Sequence, residues 1–182
     1  MHKLYNFIEA RERLTTVVVK TKLIHSPVFS EESGNEIYLK PENLQKTGSF
    51  KIRGAYNKIA KLTEEEKKKG VIASSAGNNA QGVAYAAKRL GIKAVIVMPK
   101  HTPLIKVEAT RKYGAEVVLH GEVYDDAYKK ALELQKENGY VFVHPFNDED
   151  VIEGQGTIAL EILDELPDAD IILVPLGGGG LV

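Results

Sequence analysis

From Gly48 onwards the chain alternates short apolar runs with stretches of helical periodicity, and this alternation restricts the fold more than any other feature. The apolar runs are "VIASS" (71–75), "KAVIVMP" (93–99), "AEVVLHG" (115–121) and "YVFVHP" (140–145), and the helical stretches lie near 51–62, 79–90, 103–113 and 123–138. Runs rich in Val and Ile between helices are typical of parallel strands that are covered on both faces. The sequence therefore predicts an α/β protein with open, mostly parallel sheets and helices on both faces.

Further elements are predicted on either side of this region. They are a helix near 5–13, a short strand "EIYLK" (36–40) that ends at Pro41, and a helix near 149–166 with Ile158, Ile162 and Leu166 on one face. "TEEEKKKG" (63–70) is predicted to be a short solvated helix, because its acids precede its bases and Gly70 can end it. The last apolar run, Ile171 to Leu176, predicts a buried strand.

The composition excludes several classes of protein. The chain has 182 residues, 43% of them hydrophobic, a formal net charge of -1 and no Cys. Its interspersed charges provide no field that would attract nucleic acid or an anionic membrane. The lack of Cys excludes disulfides, thiolate metal sites and a Cys nucleophile. Because no N-terminal segment resembles a signal peptide or a membrane span, a cytoplasmic protein is expected.

Two patterns that could indicate a site are interpreted as structural. "GQGTIA" (154–159) matches a loose dinucleotide fingerprint, but no strand immediately precedes it and it lies within a helical pattern. It is expected to allow close packing between helices. The five His residues, at positions 2, 25, 101, 120 and 144, show no metal-ligand spacing, so no metal site is expected.

Four consecutive glycines, Gly177 to Gly180, follow the last apolar run. In open parallel sheets, ligands gather at the carboxyl ends of the strands. Glycines at such an end let successive backbone N–H groups converge on an anion without interference from side chains. The glycines are therefore interpreted as a phosphate cradle, although a flexible tail is an alternative that the glycine run alone leaves open.

A second loop, "SSAGNNAQG" (74–82), follows the apolar run "VIA" directly. Its small and amide residues suit the start of a helix, where free N–H groups could hold a carboxylate. An ordinary strand-to-helix turn is the alternative.

The third loop is "KTGSFKIRGAYNK" (46–58), in which Lys51 stands between Phe50 and Ile52 at the start of a predicted helix. Partial burial among apolar neighbours would favour the neutral amine, which is the form that makes a Schiff base. A solvated lysine is the alternative. Taken together, a Schiff-base lysine, an anion loop and a phosphate cradle are what a phosphate-bearing aldehyde cofactor requires, namely pyridoxal 5'-phosphate.

At these residues the sequence resembles a known family. "KPENLQKTGSFKIRGAYNKI", "SSAGNNAQG" and "PLGGGGL" are similar to the serine/threonine dehydratases, which are fold type II (tryptophan-synthase-β-like) pyridoxal phosphate enzymes. "GAEVVLHG" and "VIEGQGTIALEIL" extend the resemblance over nearly the whole chain. The resemblance implies a homo-oligomeric lyase that acts on a small amino acid. Such an enzyme would convert L-threonine to 2-oxobutanoate, or L-serine to pyruvate, with release of ammonia.

The resemblance also implies a role for each residue of the three loops. Lys51 would hold the cofactor as a Schiff base and act as the base at the substrate Cα. Phe50 would pack against the pyridine ring and Asn78 would hydrogen-bond the 3'-oxygen of the ring. The phosphate would be bound by Gly177, Gly178, Gly179, Gly180 and Leu181. The substrate carboxylate would be bound by Ser74, Ser75, Gly77 and Asn79. The family usually has His where this chain has Asn79, which puts substrate affinity or preference in question.

Other members of the superfamily are alternatives. Threonine and cysteine synthases have motifs similar to "SxKDR" around the lysine and "GNT" in the amide loop, whereas this chain reads "SFKIRG" and "AGNNAQG". Serine racemases place a second serine, the acid/base for the opposite face of the substrate, where this chain has Ala76. Both activities are therefore disfavoured. A non-catalytic ligand-binding module and an inactive, truncated assembly fragment remain open.

In the resembling family, further strands and the residue that faces the pyridine nitrogen follow the glycines. The sequence is therefore expected to be the N-terminal part of such an enzyme, with an incomplete large domain. The expected division is residues 1–47 in the large domain, residues 48–146 as a small α/β domain, and residues 147–182 returning to the large domain and ending in the glycine loop.

Overall fold

The structure is a computed structural model that describes residues 3–182. Helices and short strands alternate along most of the chain. The helices are α1 (Leu4–Leu14), α2 (Pro27–Ser33), α3 (Lys51–Ala60), α4 (Glu64–Lys69), α5 (Asn78–Leu90), α6 (Leu104–Lys112), α7 (Tyr124–Asn138) and α8 (Glu149–Glu165), with a 3-10 turn at Glu42–Leu44. The strands are β1 (Ile24–His25), β2 (Tyr38–Leu39), β3 (Val71–Ser74), β4 (Ala94–Met98), β5 (Glu116–Leu119) and β6 (Val141–Phe142).

A parallel sheet in the order β5-β4-β3-β6 forms the centre of the described part of the chain. Alternate residues of its inner strands point to opposite faces, and both faces are buried. On one face, Val71, Ala73 and Ile96 pack in a cluster that includes Val83 and Ala87 of α5. The other face carries Ile72, Val95 and Val97, which pack on Ala127 and Ala131 of α7. The predicted parallel α/β fold is confirmed.

The element boundaries follow local chemistry. In α4, the hydroxyl of Thr63 accepts from the backbone N–H of Glu66, and the Glu66 carboxylate accepts from the N–H of Thr63, so a capping box starts the helix. Gly70 ends it with a φ of 88°. A side chain at Gly70 would bring a Cβ within 2.9 Å of the Lys93 carbonyl oxygen, so glycine is required there on both counts. The predicted short helix of "TEEEKKKG" is confirmed.

Helices α3 and α8 approach each other closely through glycines. A Cβ on Gly154 of α8 would lie 2.6 Å from the Gly54 Cα and 2.6 Å from the Arg53 carbonyl oxygen. "GQGTIA" therefore lies inside α8, and Gly154 allows the two backbones to pack together. The interpretation of this motif as close helix packing, and not as a dinucleotide loop, is confirmed.

The strand predicted over Ile171–Leu176 is wrong for this structure. The segment has no strand assignment, and its side chains are largely exposed, with Leu173 87% and Ile171 79% accessible. A strand needs a hydrogen-bonded neighbour, and none of residues 3–182 pairs with this segment. The earlier strand "EIYLK" shortens to β2, which pairs antiparallel with β1, an element that the sequence did not indicate.

Candidate functional site

The carboxyl ends of β3 and β6 lie side by side and form the floor of the candidate site. Ile72 pairs with Phe142 in the parallel register, and the N–H of Val143 donates to the Ile72 carbonyl oxygen at 2.9 Å. Continuing this register places Ser74, at the end of β3, level with His144. The loop "SSAGNNAQG" and the turn that follows β6 therefore leave the sheet at the same edge, where ligands of parallel sheets bind.

Lys51 begins α3 and reaches the turn that follows β6. Its Nζ donates to the carbonyl oxygen of Pro145 at 2.7 Å and lies 5.3 Å from the centroid of the Phe50 ring. Burial lowers the pKa of Lys51 below its usual value. The lysine that the sequence singled out is thus a partly desolvated amine at the carboxyl edge of the sheet.

Helix α5 packs against the backbone of Lys51. A Cβ on Gly82, in the second turn of α5, would lie 3.0 Å from the carbonyl carbon of Lys51 and 3.1 Å from its oxygen. A larger residue at this position would push the two helices apart. The small residue therefore brings the start of α5 beside the start of α3.

The loop that starts α5 carries polar side chains without partners. Ser74 and Asn79 are buried, and the Ser74 Oγ and Asn79 Nδ2 have no hydrogen-bond partner among the described residues. Ser75 Oγ accepts from the N–H of Gly77 at 3.2 Å, and Asn78 is exposed. Since buried polar groups are normally satisfied, these two groups are available to bind a polar ligand or water.

The glycine loop rests on the same turn that Lys51 contacts. A Cβ on Gly180 would lie 2.7 Å from the Cα and carbonyl oxygen of Phe146, and a Cβ on Gly178 would overlap the Phe146 ring. Gly179 has a φ of 83°, which favours glycine. The glycines are thus held against Phe146, next to the Pro145 carbonyl that binds Lys51.

Phe50 and Leu181 line one apolar cavity of about 200 Å³ between α8 and the C-terminal segment. Ile158, Ile162 and Val174 also line it. The structure therefore places Phe50 and Leu181 together in one cavity, which Lys51 itself does not line.

A buried ion network supports the start of α3. Arg53 is fully buried, and its guanidinium forms two hydrogen bonds with Glu42, at 2.8 and 2.9 Å, and two with Glu161, at 2.7 and 2.9 Å. Lys40 also binds Glu161, at 2.7 Å. Since Arg53 is two residues from Lys51, this network fixes the helix end that carries the lysine.

Two parts of this site are not among the residues that the sequence marks. One is the turn His144–Phe146: the sequence predicts a strand up to residue 145, and the position of the turn at the carboxyl end of that strand is the signal that could have indicated it. The other is the Arg53 network. Its partners are 11 and 108 residues away in the sequence, and no local pattern links them.

Among residues 3–182, no group of three or more His, Asp or Glu side chains is arranged to hold a metal ion. His2 lies outside the described residues. Within the same range, no helix has both the length and the hydropathy needed to cross a bilayer.

Comparisons with known proteins identify the family of the chain. The family described as "Pyridoxal-phosphate dependent enzyme" matches residues 14–182. The L-threonine ammonia-lyase of Thermotoga maritima is 62% identical over 174 residues, which are 96% of this chain and 43% of the relative. The catabolic L-threonine dehydratase TdcB of Escherichia coli (strain K12) is 52% identical over 177 residues, 97% of this chain and 54% of the relative.

Solved structures share the fold closely. The processed form of threonine deaminase isoform 2 from Solanum lycopersicum has a TM-score of 0.91 at 42% identity, covering 99% of this chain and 51% of that one. Maize serine racemase has a TM-score of 0.95 at 39% identity, covering 98% and 54%. The chain spans about half the length of the relatives it matches. The fold is therefore the one shared by fold type II enzymes, and the chain belongs to the family of pyridoxal-phosphate dependent enzymes.

Proposed function

We propose that the full-length protein that carries this sequence is a pyridoxal-phosphate dependent L-threonine dehydratase, which also acts on L-serine. The observation that carries the proposal is the partly desolvated amine of Lys51, bound to the Pro145 carbonyl at 2.7 Å, beside a glycine loop held on Phe146. The products would be 2-oxobutanoate or pyruvate, and ammonia. The names of the relatives from Thermotoga maritima and Escherichia coli support this choice of substrate.

The residues present fit the cofactor. Lys51 supplies an amine whose pKa is lowered by burial, which favours the neutral form that reacts with an aldehyde. Gly178 and Gly180 lie so close to Phe146 that side chains there would clash with it, whereas Gly177 and Gly179 have open space where a Cβ would stand. Ser74 Oγ and Asn79 Nδ2 are buried and unpaired, as are two hydroxyls just before Lys51, Thr47 Oγ1 and Ser49 Oγ. An anionic, polar cofactor and substrate would satisfy such groups.

In this proposal Lys51 would hold the cofactor and Gly177–Gly180 with Leu181 would bind its phosphate. Phe50 would pack on the ring and Asn78 would bind the ring oxygen. When bound, the cofactor supplies an electron-withdrawing ring that stabilises negative charge at the substrate Cα. Lys51 would remove the Cα proton, since its amine lies at the Pro145 carbonyl beside the glycine loop.

Substrate binding is proposed for the start of α5. Ser74, Ser75, Gly77 and Asn79 would receive the substrate carboxylate, since the first N–H groups of a helix are unpaired and its N-terminus favours negative charge. The N-cap of α5 is Gly77, which has no side chain to cap the helix, so the first N–H groups of α5 have no capping side chain from this residue.

Serine racemase is the second candidate, because the maize enzyme shares the fold with a TM-score of 0.95. Racemisation needs an acid/base on the opposite face of the substrate from Lys51. At position 76, which lies in the loop between β3 and α5, this chain has an alanine, which cannot act as one. The alanine at position 76 therefore favours elimination over racemisation.

Three further expectations belong to the same proposal. We propose that residues 48–146 form a small domain flanked by large-domain pieces, residues 1–47 and 147–182, because the parallel sheet is built entirely within residues 71–142. We also propose a cytoplasmic homo-oligomer. The exposed apolar residues Ile171, Leu173 and Leu176 would be covered by the rest of the large domain in the full-length protein.

The test combines labelling with product analysis. The full-length protein is incubated with pyridoxal phosphate, reduced with borohydride and digested, and the pyridoxyl group should map to Lys51. Lys51→Ala should abolish the label, and Lys46→Ala, at an exposed lysine of the same loop, should keep it. With L-threonine the protein should release a 2-oxo acid. A label spread over surface lysines, or D-serine as the main product from L-serine, would overturn the proposal.

A further inference from the structure

His144 organises the turn that connects the candidate lysine to the glycine loop. Its Nδ1 accepts hydrogen bonds from the backbone N–H groups of Asn147, at 2.7 Å, and Phe146, at 3.3 Å. A ring nitrogen that accepts cannot carry a proton, so this arrangement requires an imidazole that is unprotonated at Nδ1. The side chain thus closes a tight loop of backbone over Pro145–Asn147.

Both sides of this turn contact the candidate site. The carbonyl of Pro145 accepts from Lys51 Nζ at 2.7 Å. The Phe146 ring packs edge-on against the His144 ring, with centroids 4.6 Å apart, and Gly178 and Gly180 lie against Phe146. Pro145 has no N–H of its own, so the N–H groups of Phe146 and Asn147 are what tie the turn to the imidazole.

We propose that His144 is a positioning residue for this site: its unprotonated Nδ1 holds the turn over Pro145–Asn147, so that the Pro145 carbonyl meets the amine of Lys51 and Phe146 supports the glycine loop. Protonation of Nδ1 puts an N–H opposite two other N–H groups, which removes both hydrogen bonds and releases the turn. The inference rests on the proposed role of Lys51 in binding the cofactor.

The surroundings of His144 favour the neutral ring. Burial lowers the pKa of His144, Asp148 opposes this shift, and the positive charge of Lys51 adds to it. Asp148 is the N-cap of α8, and Lys51 begins α3. Ser74, which lies level with His144 on the neighbouring strand, has no ionisable side chain. The folded-state pKa is depressed, so the turn is intact above the usual histidine pKa and is lost as the pH falls through the folded value.

Two variants separate positioning from simple packing. His144→Asn places an amide oxygen near the position of Nδ1, so it keeps an acceptor that does not titrate. His144→Phe keeps the ring and removes the acceptor. For each full-length protein, two quantities are measured from about pH 5 to about pH 8, across the titration range of histidine. They are the affinity for pyridoxal phosphate, by equilibrium dialysis, and the hydrogen-exchange protection of the Asn147 amide.

The wild type and His144→Asn should bind the cofactor equally at the alkaline end. At the acidic end the wild type should bind at least about threefold more weakly than His144→Asn, because only the wild type gains the ring proton. His144→Phe should lose protection of Asn147 and cofactor affinity at every pH, with circular dichroism confirming its fold.

The outcomes distinguish this inference from the proposed function. Parallel pH profiles for the wild type and His144→Asn, with Asn147 equally protected in both, would overturn the role of His144 while leaving the labelling of Lys51 intact. Conversely, borohydride labelling away from Lys51 would overturn the proposed function. The Asn147 protection would still report whether the ring proton releases the turn.

Discussion

The guanidinium of Arg53 binds both carboxylate oxygens of Glu161, at 2.7 and 2.9 Å, in a fully buried position. The same guanidinium binds both oxygens of Glu42, at 2.8 and 2.9 Å. One side chain of α3 therefore connects α8 to the 3-10 turn that precedes Lys51. The rigid planar fork of Arg can bind two carboxylates through two hydrogen bonds each, whereas the ammonium of Lys has three N–H donors and cannot make four such bonds.

Arg53→Met should lower the free energy of unfolding by about 3–5 kcal/mol, because it removes the guanidinium from the buried carboxylate of Glu161 and from the partly buried carboxylate of Glu42. Arg53→Lys should fall between the wild type and Arg53→Met. The measurement is urea unfolding of the full-length protein. The matched control is Arg11→Met, which removes an exposed pair with Asp164 (3.2 Å) and should cost less than about 1 kcal/mol. Equal losses in the two Met variants would contradict the importance of burial.

Glu161 should make stability depend on acid pH. Burial by itself raises the pKa of Glu161, but hydrogen bonds from Arg53 and Lys40 outweigh this effect and hold the pKa below its usual range. A depressed folded-state pKa contributes stability that is present above the unfolded pKa and lost as the pH falls through the folded value. Urea unfolding from about pH 7 to about pH 3 should therefore show a falling free energy.

Glu161→Gln tests this origin of the acid sensitivity. The variant should be less stable than the wild type at neutral pH, and its free energy of unfolding should fall less steeply towards acid pH, because one titrating carboxylate is gone. Glu65→Gln, at an exposed position of α4, should keep the slope of the wild type. The same slope in Glu161→Gln and the wild type would show that other carboxylates cause the acid sensitivity.

The sequence predicted the parallel sheet well because of where the sheet lies. Strands β3 and β4 are buried on both faces, so their residues form continuous apolar runs that stand out between helices. The run Ile171–Leu176 has the same composition, yet it forms no strand, because strand formation also depends on a neighbour that composition does not encode. The two-residue strands β1 and β2 are too short for any periodicity.

The candidate site could be predicted only where side-chain chemistry marks it. Lys51 and the glycines stood out by residue type. The carbonyl of Pro145 did not, because a backbone acceptor has no signature in the sequence. The buried Arg53 looked like any helical cation, and its partner Glu161 is 108 residues away. Long-range contacts of this kind appear only when the helices are placed in space.

The close approach of α3 and α8 gives a prediction for Gly154. A Cβ there would lie 2.6 Å from backbone atoms of Arg53 and Gly54, which cannot move without separating the helices. Gly154→Ala should therefore cost about 1–3 kcal/mol or more of unfolding free energy. Gly156→Ala is the comparison variant, since its Cβ would overlap the side chain of Phe7 and no backbone atom. The ring must shift to make room, but the helix gains about 1 kcal/mol from alanine, so Gly156→Ala should cost less than Gly154→Ala in urea unfolding.

The glycine loop gives the last prediction, which concerns cofactor affinity. Two different constraints act on neighbouring residues: a side chain at Gly178 would overlap the Phe146 ring, whereas Gly179 has a φ of 83° and open space around its Cβ. Gly178→Val should weaken the binding of pyridoxal phosphate by at least about tenfold, because the loop must leave Phe146 and its N–H groups lose their alignment on the anion. Gly179→Ala should weaken binding through backbone strain. Affinities are measured by absorbance titration of the full-length proteins, with circular dichroism as the folding control.

Phe146→Ala separates the two constraints. Phe146→Ala makes room for the new side chain of Gly178→Val. Gly178→Val should therefore cost less affinity in the Phe146→Ala background than in the wild type. Combined with Gly179→Ala, Phe146→Ala should recover nothing, because the strained φ remains. A double-mutant cycle therefore should show coupling between positions 146 and 178 of about 1 kcal/mol or more, and none between 146 and 179. Equal affinity of the wild type and Gly178→Val in two folded proteins would show that the phosphate binds elsewhere.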